Sequence, residues 1–123
     1  MKTFIINREN WLFGEGADNG RFYRNDDGKS CVLGQIARQH GYSNEELSNR
    51  SSIRGLIASG AKNKNNFFET FFYDLRRDNI TTSMLAVNDN EYLTYCQREE
   101  KLINFAKELD IELKFVGEYE CDL

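Results

Sequence analysis

Residues 111–115 read Ile-Glu-Leu-Lys-Phe, a stretch in which apolar and charged side chains alternate strictly. A period of two is typical of a β-strand with one buried face, because successive side chains point to opposite sides of a sheet. The apolar face, formed by Ile111, Leu113 and Phe115, needs other elements to cover it. This stretch therefore predicts a strand that belongs to a layered fold.

Two stretches upstream predict further strands. Residues 3–6 and 21–24 are rich in β-branched and aromatic side chains, and residues 84–87 are a weaker candidate. Short strands interspersed with helices of unequal length favour an α+β fold over a doubly wound parallel sheet. We therefore predict a small antiparallel sheet of three to four strands, with a single layer of about three helices on one face.

The predicted helices lie near residues 30–40, 67–77 and 95–109, where apolar side chains recur at helical spacing. The middle segment is unusually aromatic, and its apolar side chains fall within an arc of about 140° on a helical wheel. A strand would place them on both faces, so a helix is the better interpretation. Most of these rings are expected in the core, and the surplus is available for an interface. The side chains are Phe67, Phe68, Phe71, Phe72 and Leu75.

Two capping boxes mark the starts of helices. In each, a Ser or Thr precedes a Glu or Gln by three residues, so that the two side chains can satisfy each other's backbone N–H groups. Ser43 and Glu46 predict a short helix in the middle of the chain, and Thr94 and Gln97 predict the start of the last helix.

Composition places the chain among small soluble proteins. Its 123 residues form one domain of 14.4 kDa by length, spanning residues 1–123, and no apolar run approaches the roughly 20 residues of a membrane span. Net charge is −4, with +2 in residues 1–62 and −6 in residues 63–123. Because duplex-binding proteins carry a basic face, nucleic acid is not expected as a partner. We predict a cytoplasmic protein.

The three cysteines predict neither a disulfide framework nor a metal site. Cys31, Cys96 and Cys121 are far apart, no C-x-x-C pair is present, and there is only one histidine. All three are expected to be reduced thiols. A nucleophilic pair of Cys31 with His40 is not expected either, because nine residues of helix would rotate the two side chains to opposite sides. We expect Cys31 in the core and His40 at the surface.

Gly28-Lys29-Ser30 follows a predicted strand and opens a predicted helix, as the end of a phosphate-binding P-loop does. The complete motif needs a glycine five residues earlier, where this chain has Tyr23. A turn followed by a helix start is therefore the preferred interpretation. The alternative is a nucleotide-binding site, or a small enzyme, that combines the glycine-rich loop Gly14–Gly20 with Lys29 and Asp89.

Short motifs are distributed along the chain: Trp11, Gly28-Lys29, Cys31, Leu33-Gly34, Asn88-Asp89, Arg98-Glu99, and Ile111 with Phe115. Together they resemble a family of small proteins encoded by bacteriophages and prophages. The resemblance covers most of the chain but not residues 50–80, and Val32 stands where the family has a second cysteine. It implies a phage origin and a location in the host cytoplasm, and it supplies no catalytic residues.

These observations favour a binding protein over an enzyme. We expect an accessory protein that binds and modulates a host or defence-system protein, or another phage protein, without a cofactor, metal or catalytic residue. A homodimer through the surplus aromatic side chains is a further arrangement. Asn88-Asp89 and Arg98-Glu99 are expected to shape the fold as well. The candidate binding residues are Trp11, Lys29, Asn88, Asp89, Arg98 and Glu99.

Overall fold

A computed structural model describes residues 1–16 and 20–118. Two strands, β1 (Lys2–Asn7) and β2 (Ile111–Val116), form a parallel pair in which Phe4 lies opposite Leu113. Between the strands, the described residues form six helices: α1 Val32–Gln39, α2 Asn44–Leu47, α3 Ile53–Ala58, α4 Phe67–Phe72, α5 Leu75–Asp89 and α6 Tyr95–Glu108. A 3-10 turn, Arg8–Asn10, follows β1. The class is α+β.

The predicted antiparallel sheet of three to four strands is wrong. Within the described ranges the sheet has two strands, and they are parallel. Residues 21–24 form no strand, because Tyr23 makes only an isolated bridge to Ser48. The period of two in residues 111–115 correctly indicated a strand with one buried face, but it carries no information about the direction of the neighbouring strand.

The helical part also departs from the prediction of about three helices in a single layer. The segment 67–77 is divided between α4 and α5, because Asp74 is extended (φ −138°, ψ 175°) and accepts a hydrogen bond from the N–H of Arg77. Residues 84–87 belong to α5 and not to a strand. Both capping boxes are confirmed, at the starts of α2 and α6.

One hydrophobic core joins the sheet and the helices. The buried face of the sheet contributes Phe4 and Leu113, and α4 contributes Phe67 and Phe71. Helix α1 comes so close to residue 22 that a Cβ at Gly34 would lie 1.9 Å from the Phe22 carbonyl oxygen. Across the described part of the chain, no helix has the length and apolar character needed to cross a membrane.

The outer edge of β1 is closed by glutamine side chains from α1. The Gln39 amide accepts from the Ile5 N–H (3.0 Å) and donates to the Ile5 carbonyl (2.9 Å). The Gln35 amide makes the same two bonds with Asn7, at 2.8 and 3.0 Å. Each amide thus takes the place of a neighbouring strand, and the spacing of four residues puts both glutamines on one face of the helix.

Candidate functional site

Asn88, in the last turn of α5, lies at the centre of the region that holds most of the candidate residues. Its Oδ1 accepts from Trp11 Nε1 (2.7 Å) and from the Val32 N–H at the start of α1 (3.0 Å). Its Nδ2 donates to the Leu12 carbonyl (2.9 Å) and to Asp89 Oδ1 (3.1 Å). Asn88 is fully buried. One amide therefore joins α5, α1 and the loop that follows the 3-10 turn.

The start of the glycine-rich loop runs along the end of α5. The Gly14 N–H donates to the Asn88 carbonyl (2.8 Å), and the Gly16 N–H donates to the Asp89 carbonyl (2.9 Å). Both glycines have positive φ, which disfavours other residues there. At Gly20 a Cβ would lie 2.6 Å from both carboxylate oxygens of Asp89. The loop therefore needs its glycines to approach α5, and residues 17–19 lie outside the described ranges.

The Asp89 carboxylate is half-buried under this loop. Burial raises the pKa of Asp89, while the hydrogen bond from Asn88 and the positive charge of Arg21 oppose that rise. A carboxylate in this position is unfavourable for a phosphate ligand. Within the described part of the chain, no group of three or more His, Cys, Asp or Glu side chains is arranged to hold a metal ion.

Arg98 and Glu99 are buried next to each other in α6 but have separate partners. Glu99 forms a bidentate ion pair with Arg8: Arg8 Nε donates to Oε2 at 2.8 Å, and Arg8 Nη2 donates to Oε1 at 2.6 Å. Arg98 donates to the Leu93 carbonyl at 3.0 Å, and its guanidinium lies 5.0 Å from the centre of the Phe13 ring. Burial lowers the pKa of Arg98. These contacts fix α6 to the loops on either side of it.

Lys29 is separated from the other candidates. Its side chain is exposed, and its backbone N–H donates to Asp27 Oδ1 at 3.1 Å. The start of α1, which would bind phosphate in a P-loop protein, is instead capped by Asn88 through the Val32 N–H. Within residues 1–16 and 20–118, no contact brings Lys29 and Asp89 into one site.

The cysteine and histidine predictions have a mixed outcome. Cys31 is a free thiol that is 2% exposed, and burial raises its pKa to about 12, so it belongs to the core as expected. His40 is not at the surface: it is buried, stacks on Phe4, and its Nδ1 contacts the Asn65 carbonyl at 3.1 Å. Cys96 is disulfide-bonded, so the prediction of three reduced cysteines is wrong at that position. Cys121 lies outside the described residues.

Sequence reasoning missed two kinds of residue. Arg8 was not among the candidates, yet it is buried and pairs with Glu99. Its position directly after a predicted strand was the only signal in the sequence. Leu75 was assigned to the apolar stripe of a helix, yet it is 74% exposed, as is Tyr73. An Asp three residues before Arg77 was the available signal, because an N-cap residue has an extended backbone and so interrupts the helical spacing of the side chains on either side of it.

Tyr73 and Leu75 project from the α4–α5 junction on both sides of the N-cap Asp74. Tyr73 also borders an open depression of about 350 Å³, whose other lining residues are Glu69, Thr70 and Arg77. The Arg77 guanidinium is held by the Thr70 carbonyl at 3.0 Å. We call this region, with its five residues, the junction surface: Glu69, Thr70, Tyr73, Leu75 and Arg77.

Comparisons with known proteins give no further assignment. No protein-family model matches the sequence. No curated protein matches it. No solved structure matches its fold.

Proposed function

We propose that the protein functions by binding another protein through the junction surface. The observation that carries this proposal is the 74% exposure of both Tyr73 and Leu75, on a helix pair whose Phe67 and Phe71 are fully buried. Tyrosine is enriched among the few residues that supply most of the binding energy of an interface. The neighbouring leucine adds apolar area that a partner would remove from water.

The junction surface is also preorganised. The Asp74 carboxylate accepts from the Arg77 N–H at 2.8 Å, and this bond fixes the backbone that carries Tyr73 and Leu75. The contact of Arg77 with the Thr70 carbonyl restrains the one cation of the surface within the described residues. Restraint before binding lowers the conformational entropy that a complex must give up.

The expected setting comes from the family resemblance. It supports a phage-encoded accessory protein that acts in the host cytoplasm and modulates a host or defence-system protein. The apolar pair flanked by Glu69 and Arg77 suits a partner with an apolar pocket and charged groups of both signs at its rim.

The nucleotide-binding alternative has less support. It requires Lys29 and Asp89 to act together with the Gly14–Gly20 loop, but the Lys29 side chain is exposed and its backbone N–H is held by the Asp27 carboxylate. Asp89 and Glu91 instead place carboxylate oxygens next to the glycine positions 20 and 16. Saturable nucleotide binding that is lost in K29A would favour this alternative.

The test is affinity capture of the tagged protein from infected cells with two matched variants. We expect a stoichiometric partner that is captured by the wild type and lost in the double variant Y73S/L75S. The control is Y92S, which removes a tyrosine that is 90% exposed on the α5–α6 connection. Both variants alter exposed side chains and should unfold at the wild-type temperature.

The partner is then purified and titrated against the same three proteins. A weakening of about tenfold or more in Y73S/L75S, with Y92S unchanged, is the expected result for a central pair of contacts. Equal binding by Y73S/L75S and wild type would contradict the proposal.

A further inference from the structure

We propose that the chain forms a homodimer in which the open edge of β2 pairs antiparallel with β2 of a second copy, centred on Leu113. The two sheets would then join into one sheet of four strands, in the order β1, β2, β2, β1. This proposal does not depend on the junction surface, which lies on different elements.

The direction of the backbone groups shows which edge is open. The backbone N–H and carbonyl groups of Ile5 and Asn7 point at Gln39 and Gln35. Because these groups alternate in direction along a strand, the backbone groups of Phe4 and Ile6 point at β2. In a parallel pair, Phe4 bonds to the two residues that flank Leu113. The backbone groups of Glu112, Lys114 and Val116 therefore point at β1. Those of Ile111, Leu113 and Phe115 point away from β1, to the other edge of β2.

On that other side, β2 has no partner in the described part of the chain. No hydrogen bond there reaches the backbone N–H or carbonyl groups of Ile111, Leu113 or Phe115 from outside the sheet. The contrast with β1 is informative, because α1 closes that edge with two amides. Unprotected edges pair readily with other strands, and proteins usually cover them.

The charges on β2 select the register. With Leu113 opposite Leu113 of the second copy, Glu112 of each copy lies opposite Lys114 of the other. The neighbouring registers would place Glu112 against Glu112 or Lys114 against Lys114, which is unfavourable. The arrangement is thus self-complementary about a two-fold axis, as a closed dimer requires.

The same register satisfies the backbone. Residues with outward-pointing groups lie opposite one another, Leu113 with Leu113 and Ile111 with Phe115, and each such pair exchanges two hydrogen bonds. The charged residues then occupy the non-hydrogen-bonded positions, where side chains are closest. Glu112 Oε1 accepts from Thr3 Oγ1 at 3.0 Å, which leaves the second carboxylate oxygen for Lys114 of the partner.

The test uses charge reversal at exposed positions. In sedimentation velocity, the average mass of the wild-type protein is expected to rise with concentration, from the 14.4 kDa of one chain towards twice that mass. E112K and K114E each turn two attractions into repulsions, so we expect each to weaken self-association by about tenfold or more.

Complementation distinguishes pairing in this register from a general effect of charge. The double variant E112K/K114E should restore the homodimer, and an equimolar mixture of E112K and K114E should form heterodimers. T3V removes the Thr3–Glu112 hydrogen bond without changing charge, and K101E changes charge on an exposed position of α6. Both controls should associate like the wild type.

Hydrogen exchange gives an independent readout at the edge itself. The amides of Leu113 and Phe115 should become protected as the protein concentration rises, and this protection should be absent in K114E. A chain that stays monomeric at high concentration, or a dimer that E112K and K114E leave intact, would overturn the proposal.

Discussion

Asn88 uses both lone pairs and both N–H groups of its amide. Three of the four partners, Trp11, Leu12 and Val32, are buried and lie at least 56 residues away in the chain, and the fourth is the neighbouring Asp89. The P-loop interpretation fails at the same residue, because the N–H that would bind phosphate already donates to Asn88. Sequence alone identified Asn88 as a candidate but gave no indication that Trp11 would be its partner. An Asn-Asp pair looks the same in the sequence whether its asparagine shapes a local turn or joins distant segments by hydrogen bonds.

Replacing Asn88 should therefore be costly. N88A leaves the Trp11 N–H, the Val32 N–H and the Leu12 carbonyl buried without partners, and we expect a loss of about 3 kcal/mol or more in the free energy of unfolding. The matched control is N90A, which loses a single bond from the exposed Tyr92 N–H and should cost about 1 kcal/mol or less. Urea denaturation measures both, and equal costs would contradict the central role of Asn88.

Asp89 gives a prediction about pH. Burial raises the pKa of Asp89 above its ordinary value of 3.8, so the folded state binds this proton more tightly than the unfolded state does. The contribution of Asp89 to the free energy of unfolding is therefore greatest below pH 3.8 and declines as pH rises through the folded-state pKa.

Replacing the Asp89 carboxyl group with an amide, which does not titrate, should stabilise the protein at neutral pH. D89N keeps an oxygen for the Asn88 amide but carries no charge, so its free energy of unfolding should exceed that of the wild type at neutral pH and approach it in acid. D26N removes a charge from an exposed turn and serves as the control. Denaturation at a series of pH values tests this, and a constant difference between D89N and wild type would refute it.

At the scale of elements, the Arg8–Glu99 ion pair joins the end of β1 to α6. The Arg8 guanidinium also lies 5.9 Å from the centre of the Phe115 ring, so the pair reaches β2 as well. Breaking a buried pair from one side leaves an uncompensated charge, whereas replacing both partners with apolar side chains does not.

E99A is therefore expected to lower the free energy of unfolding by about 3–5 kcal/mol. The double variant R8M/E99L should lose clearly less than the sum of R8M and E99L, because neither charge is left alone. A double-mutant cycle in urea measures this coupling. Additive losses would show that Arg8 and Glu99 contribute independently.

Local signals in the sequence predicted the elements where the cause is local. The Ser43 and Thr94 capping boxes each depend on four consecutive residues, and both helices begin where those signals stand. The break between α4 and α5 was missed because the helical spacing of the phenylalanines continues to Leu75, while the turn at Asp74 depends on one side chain. The prediction of a strand at 21–24 was wrong although the composition of these residues is typical of one, because in the described part of the chain no strand lies beside them and Tyr23 makes only an isolated bridge to Ser48.

For the whole molecule, the class was predictable and the topology was not. The alternation in residues 111–115 predicts a strand with one buried face, and short strands interspersed with helical segments of unequal length favour an α+β fold. Whether β2 runs parallel or antiparallel to β1 depends on the path of the roughly 100 residues between them, and that path is decided by the packing of six helices. The candidate residues were likewise chosen by residue type, whereas the bond between Trp11 and Asn88 joins segments that are 77 residues apart and could not be read from either segment alone.

Because β1 and β2 lie near opposite ends of the sequence, β1 is synthesised well before the strand with which it pairs. Ribosomes add about 5–20 residues per second, so roughly 5–20 seconds pass between the appearance of the two strands. During that interval the edge of β1 formed by the backbone groups of Phe4 and Ile6 has no neighbouring strand, although the glutamines of α1 can already cover the opposite edge. A chain that stalls before residue 111 is therefore expected to expose the unpaired edge of β1, which is the kind of surface that aggregates unless a chaperone covers it.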